Sequence, residues 1–135
     1  MEQKYLIDTS AVIKYLENLF PPEAISFMDV VVDKDCKVSF ITKIELLVWD
    51  TPVPSDIKIR EEFLEGSKIY YINEAIINLA IKIRKATKIK LPDAIIAATA
   101  IANNLILLSE NDNDFHKVVS LGLKYMNPKT SFKVI

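Results

Sequence analysis

Apolar residues along the chain alternate between short continuous runs and a spacing near 3.6, the marks of buried strands and one-sided helices. Residues 4–7 (Lys-Tyr-Leu-Ile) form a β-prone run that stops at Asp8. Val12, Ile13, Leu16, Leu19 and Phe20 then follow at helical spacing as far as Pro21-Pro22, where the prolines stop helical hydrogen bonding. A second helix is expected over residues 23–31, with Pro22 near its first turn. Residues 37–41 (Lys-Val-Ser-Phe-Ile) read as the second strand, and Thr42-Lys43-Ile44-Glu45 opens another helix.

Pro52 and Pro54 break the pattern before an expected helix at 56–64, and the aromatic, β-branched run 69–72 (Ile-Tyr-Tyr-Ile) is the third strand. Residues 74–85 carry Ile76, Ile77, Leu79, Ala80 and Ile83 on one side, which is amphipathic spacing. Leu91-Pro92-Asp93 starts a helix rich in small residues that ends at Asn103-Asn104. Residues 105–108 form strand four, 114–121 a short helix capped by Gly122, 123–126 strand five, and 132–135 a last extended segment. Strands alternating with helices imply parallel βαβ units with right-handed crossovers. The fold class expected is α/β, a three-layer α/β/α sandwich on a mostly parallel five-stranded sheet.

Composition narrows this to one domain, residues 1–135, with a single core. Half the residues are hydrophobic and 26% are charged, a globular balance far from that of disordered chains. Apolar stretches fall well short of the roughly 20 residues that span a bilayer, and residues 1–4 do not resemble a signal peptide. With Cys36 the single cysteine, neither an internal disulfide nor a cysteine-based zinc site is available. A cytoplasmic protein without membrane association is expected. Seventeen basic and eighteen acidic residues leave a net charge of −1, so any surface for nucleic acid has to be local.

The candidate chemistry lies in carboxylates placed just beyond strands or at helix starts: Asp8, Glu45, Asp93, and Asp112 or Asp114. In open parallel sheets, functional groups gather outside the carboxyl ends of the strands. Each acid also has a purely structural role open to it. Asp8 is placed to cap the next helix, Glu45 follows Thr42 at the spacing of a capping box, and Asp93 suits the dipole of a first turn. As a set they imply more, because carboxylates sharing one sheet edge repel one another unless a cation intervenes. Hard divalent ions take such oxygen ligands.

Four stretches together resemble the PIN-domain family, and within it the VapC-type toxins. They are Leu6-Ile7-Asp8-Thr9-Ser10-Ala11-Val12-Ile13, Thr42-Lys43-Ile44-Glu45-Leu46, residues 91–100 beginning Leu91-Pro92-Asp93-Ala94, and residues 107–115 containing Ser109, Asn111, Asp114 and Phe115. The resemblance implies a Mg²⁺- or Mn²⁺-dependent endoribonuclease with catalytic acids Asp8, Glu45, Asp93 and Asp114. Asp8, Asp93 and Asp114 would be metal ligands, with Asp112 an extra acid able to share the role of Asp114. Ser10, Ser109 and Asn111 match supporting polar positions. The resemblance further implies an RNA substrate, a homodimer and an inhibitory antitoxin that covers the site.

Lys82, Arg84, Lys85, Lys88 and Lys90 crowd the approach to Asp93. They are candidates for guiding an RNA backbone, although positive charge late in a helix also suits its dipole. His116, the one histidine, is assigned no catalytic role. Trp49 and Phe63 flank the proline-broken segment and are expected on the core or against a partner.

Other classes fit less well. A haloacid-dehalogenase-like phosphatase wants an acid two residues after Asp8, where Ser10 stands. A receiver domain wants paired acids near strand one, but Ile7 precedes Asp8. The remaining alternatives are a non-catalytic PIN-like scaffold, against which the four intact acids argue, and a housekeeping RNA-processing nuclease.

Overall fold

The structure, a computed structural model, describes residues 3–48 and 52–131. Trp49 and the expected extended segment at 132–135 lie outside them. Among these residues, five short strands form the middle of the fold: β1 (Tyr5–Ile7), β2 (Lys37–Ser39), β3 (Lys68–Tyr70), β4 (Ile106–Leu108) and β5 (Lys124–Met126). They pair in the orders β1-β4-β5 and β2-β3, with β1 packed beside β2.

Alternation along the strands divides the core in two. Leu6 and Leu107 face one cluster, with Ile76, Ile83, Ile96 and Phe115. Ile7 and Leu108 face the other, with Val12, Met28, Val38 and Leu46. The first cluster is closed by α5 (Glu74–Ala86) and α6 (Leu91–Ala102), the second by α1 (Thr9–Leu16), α2 (Pro22–Asp35), α3 (Phe40–Val48) and α4 (Pro54–Glu65). This is the three-layer α/β/α arrangement expected. After β4 the described residues add α7 (Asp112–Phe115), a 3-10 turn at His116–Leu121 and α8 (Pro128–Ser131), the last unforeseen in the sequence. Among the described residues no helix is long and apolar enough to cross a membrane.

Three local departures have physical causes. The first helix stops at Leu16, four residues short of Phe20, because Asn18 turns left-handed at φ 57°, a conformation asparagine tolerates better than most residues. Leu19 is consequently exposed while Phe20 is buried. The third strand starts one residue earlier and ends two residues earlier than expected, releasing Tyr71 and Ile72 to the surface. Strand two gives way to helix at Phe40, where Ser39 Oγ accepts the Ile41 amide at 3.1 Å. Ser39 thus takes the capping role, so Thr42 and Glu45 do not form the capping box their spacing suggested.

Helix α6 is apolar almost all round and is covered accordingly, with Ala94, Ile96, Ala97, Ala98, Thr99 and Ala100 buried. Its small side chains allow close packing against α5, and it also touches α3 and β4. Running back between parallel strands, α6 begins at the edge where the strands end. Its first turn is therefore held at the same edge as Asp8 and Ser109.

Candidate functional site

Asp8 occupies the N-cap position of α1, yet its side chain makes no capping hydrogen bond. Its Oδ2 instead accepts from Ser10 Oγ and Ser109 Oγ, each at 2.8 Å. Burial pushes the Asp8 carboxyl above its ordinary value; the two serines and the Thr9 amide pull it back, and nearby Glu45 raises it. The residue is 4% exposed, so the hydroxyls are its main defence against desolvation.

Glu45 reaches the same edge from α3. Thr9 Oγ1 donates to Glu45 Oε1 at 2.6 Å and lies 2.9 Å from Thr42 Oγ1. The Thr42-to-Glu45 spacing therefore places both residues against Thr9. Asp93, in the first turn of α6, has its carboxyl pushed up to about 6, first by burial and then by the charges of Asp8, Asp114 and Glu45; Lys90 opposes the rise. Repulsion and burial thus outweigh the helix dipole, which would favour the ionised form. Asp8, Thr9, Ser10, Glu45, Asp93, Glu110 and Asn111 line one open pocket of about 360 Å³.

The two candidates for the fourth acid part company. Asp114 accepts from Asn111 Nδ2 at 3.0 Å, and its charge bears on Asp93. The Asp112 carboxylate is taken up by Tyr125 Oη and by Asn127 Nδ2, the latter at 3.1 Å. Burial and that contact push the Tyr125 hydroxyl to about 12. Asp112 consequently braces α7 against β5 and the residues after it.

The basic cluster also divides. Lys90 sits at the N-cap of α6 and eases the charge on Asp93. Arg84 Nη1 is spent on the Ile89 carbonyl at 2.5 Å, closing the α5–α6 turn. Lys82 and Lys85 line a shallow groove of α5 with Ile81, away from the acids. His116 is exposed at the start of the 3-10 turn, and Phe63 packs at the margin of the second core cluster.

Thr9, Glu110 and Lys14 belong to the site but escaped sequence reasoning. Glu110 lines the pocket and pairs through Oε2 with Lys14 Nζ at 2.5 Å. The available signals were that Glu110 follows Ser109 directly and that Lys14 stands one helical turn after Ser10.

Chemically, the pocket offers hard oxygen donors with too much like charge for their number of cations. Among the described residues no three histidine, cysteine, aspartate or glutamate side chains already surround a point closely enough to hold an ion. The acids ring an opening, and an ion bound through one or two carboxylates and several waters needs no tighter cage. The donor set fits a hard divalent cation.

A parallel α/β/α sandwich with acids collected at the strand ends defines the class. Residues 5–121 match the PIN domain, and the chain belongs to that family. Its fold is shared by a chain of the DNA-bound VapBC complex from Salmonella typhimurium, with a TM-score of 0.79, 19% identity, and coverage of 94% of this chain and 99% of that one. VapBC-1 from nontypeable Haemophilus influenzae matches with a TM-score of 0.76 and 24% identity, covering 93% and 98%. A toxin–antitoxin complex from Klebsiella pneumoniae matches at 0.73 and 25%, again covering 93% and 98%. No curated protein matches the chain in sequence.

Proposed function

We propose that this protein is a metal-dependent endoribonuclease and the toxin of a VapBC-type toxin–antitoxin pair. The observation that carries the reading is the joint placement of Asp8, Glu45 and Asp93 around one pocket, with the charge of Asp114 bearing on Asp93. Such a pocket suits a divalent cation in an RNA-cleaving PIN protein. A Mg²⁺ or Mn²⁺ ion there supplies a more acidic bound water and stabilises charge on the attacked phosphate.

Asp8 and Asp93 hold the ion in this reading, with Asp114 contributing directly or through water. Ser10 and Ser109 fix the Asp8 carboxylate through Oδ2 at the edge of the pocket. Thr9 holds Glu45 at the rim, where its carboxylate orients or accepts a proton from the attacking water. Lys90, beside Asp93, is the basic residue best placed to meet an incoming phosphate.

The VapBC complexes sharing the fold support an antitoxin partner. So do the exposed apolar residues Ile44, Leu47 and Val48 of α3 and Ile59 of α4, two helices in contact with each other, since exposed apolar surface commonly marks protein interfaces. A homodimer and a cytoplasmic location belong to the same proposal.

The test is cleavage of a labelled RNA panel, including structured tRNAs, with Mg²⁺, Mn²⁺ or EDTA, beside Asp93→Asn. Cleavage that needs metal and is lost in the variant is the expected result. Equal cleavage by both proteins, or RNA binding without cleavage across the panel, overturns it; the latter outcome points to a non-catalytic scaffold.

A further inference from the structure

Helix α1 touches the site three times. Ser10 bonds Asp8, Thr9 bonds Glu45, and Lys14 pairs with Glu110. The first two contacts hold acids already placed in the proposed chemistry. The third holds a residue between Ser109, which bonds Asp8, and Asn111, which bonds Asp114.

Glu110 is sheltered, its side chain 13% exposed, while that of Lys14 is 39% exposed. Glu110 Oε1 is buried and has no hydrogen-bond partner. The carboxylate therefore relies on Lys14 for compensation, in a pocket where negative charge is already in excess. Residues 109–114 are also tied to the strand ends, by Ser109 to Asp8 and to the Met126 carbonyl and by Asp112 to Tyr125 and Asn127. They are shaped locally by Asn111 N to Ser109 Oγ, Asp112 N to the Glu110 carbonyl and Asp114 N to Asn111 Oδ1. The Lys14–Glu110 pair adds the link from this segment to the body of α1.

We infer that Lys14 and Glu110 are positioning residues, an ion-pair clamp that fastens segment 109–114 to α1 and so sets Ser109 and Asp114 relative to Asp8 and Asp93. Without Lys14, Glu110 has either to turn outward to water or to add its charge to the pocket, and either outcome removes the link between this segment and α1. The effect on metal affinity rests on the proposed cation site; the effect on the segment does not.

Hydrogen exchange and Mn²⁺ titration calorimetry on the full chain separate the two. The proteins are wild type, Lys14→Met, Lys14→Arg and Glu110→Gln, with exchange measured free of metal. Lys14→Met is expected to speed exchange across 109–115 severalfold with β2 and β3 unchanged, a local opening. It is also expected to weaken Mn²⁺ binding about 10-fold, as loss of an outer-shell partner does. Lys14→Arg should restore both, and Glu110→Gln should loosen the same segment. If Lys14→Met does not fold, Lys14→Gln takes its place. Unchanged exchange across 109–115 in a folded variant overturns the clamp, as does a loosened segment with undiminished Mn²⁺ affinity. A wild type that binds no Mn²⁺, combined with a loosened segment in the variant, sustains the clamp and refutes the cation site.

Discussion

Ser109 Oγ donates to Asp8 Oδ2 at 2.8 Å, a bond between residues 101 positions apart that ties the end of β4 to the end of β1. It sits in the core at the edge of the pocket, where Asp8 has almost no water. Ser109→Ala leaves Asp8 with one serine donor, so its carboxyl rises further. The expected stability loss is about 1–3 kcal/mol by urea denaturation, and the proposed cleavage should fall roughly 10–100-fold at neutral pH.

Asp93 contributes to the pH dependence of the metal-free protein. Its carboxyl rises from 3.8 to about 6 on folding, so the folded state holds the proton more tightly than the unfolded one. Folding stability therefore declines as pH rises from about 4 to about 6, and the penalty is complete above that range. Asp93→Asn should be more stable than wild type at pH 7.5 by on the order of 1 kcal/mol after solvent screening. Urea denaturation between pH 4 and 8 should show that advantage vanishing towards pH 4.

Binding of the proposed ion has to displace the proton that Asp93 retains below about pH 6. Mn²⁺ affinity is accordingly expected to drop, and protons to be released, as titrations move from pH 7.5 to pH 5.5. Calorimetry in buffers of different ionisation enthalpy measures both. Mn²⁺ at 100 times its dissociation constant should stabilise the fold by about 2.7 kcal/mol, and EDTA should remove that gain.

Thr9→Val tests the placement of Glu45. Valine keeps the shape of threonine but loses the hydroxyl that meets Glu45 Oε1 at 2.6 Å. Cleavage should fall about 10–100-fold, and Thr9→Ser should retain most of it. In single-turnover assays the loss should appear in the rate of the chemical step, with RNA affinity preserved.

Phe115 is fully buried directly after Asp114. Phe115→Ala should cost about 3–5 kcal/mol in thermal or chemical denaturation. Because this ring anchors α7, the folded fraction of the variant should also bind Mn²⁺ more weakly than wild type.

Much of this architecture was legible along the chain because strand and helix periods are local properties. The runs around Leu6, Val38, Ile69, Leu107 and Tyr125 each reappear as a strand, and the alternation with helices implied the parallel sheet. Strand ends are equally local, and they placed Asp8 and Ser109 at one edge. Helix ends were less secure: only the left-handed turn at Asn18 halts α1 at Leu16, and Ser39 starts α3 before Thr42.

Tertiary structure alone decided where each carboxylate is directed. Asp112 and Asp114 share a turn and a composition, but packing against β5 gives Tyr125 and Asn127 to the first and leaves Asn111 to the second. Likewise, Thr42 and Glu45 had the spacing of a cap until the fold brought Thr9 against them, and Lys14 was one more surface cation until Glu110 met it. The sequence determined which residue types stand at which strand ends. The three-dimensional packing determined which carboxylates share a pocket, because Coulomb and hydrogen-bond forces depend on distances that chain separation does not encode.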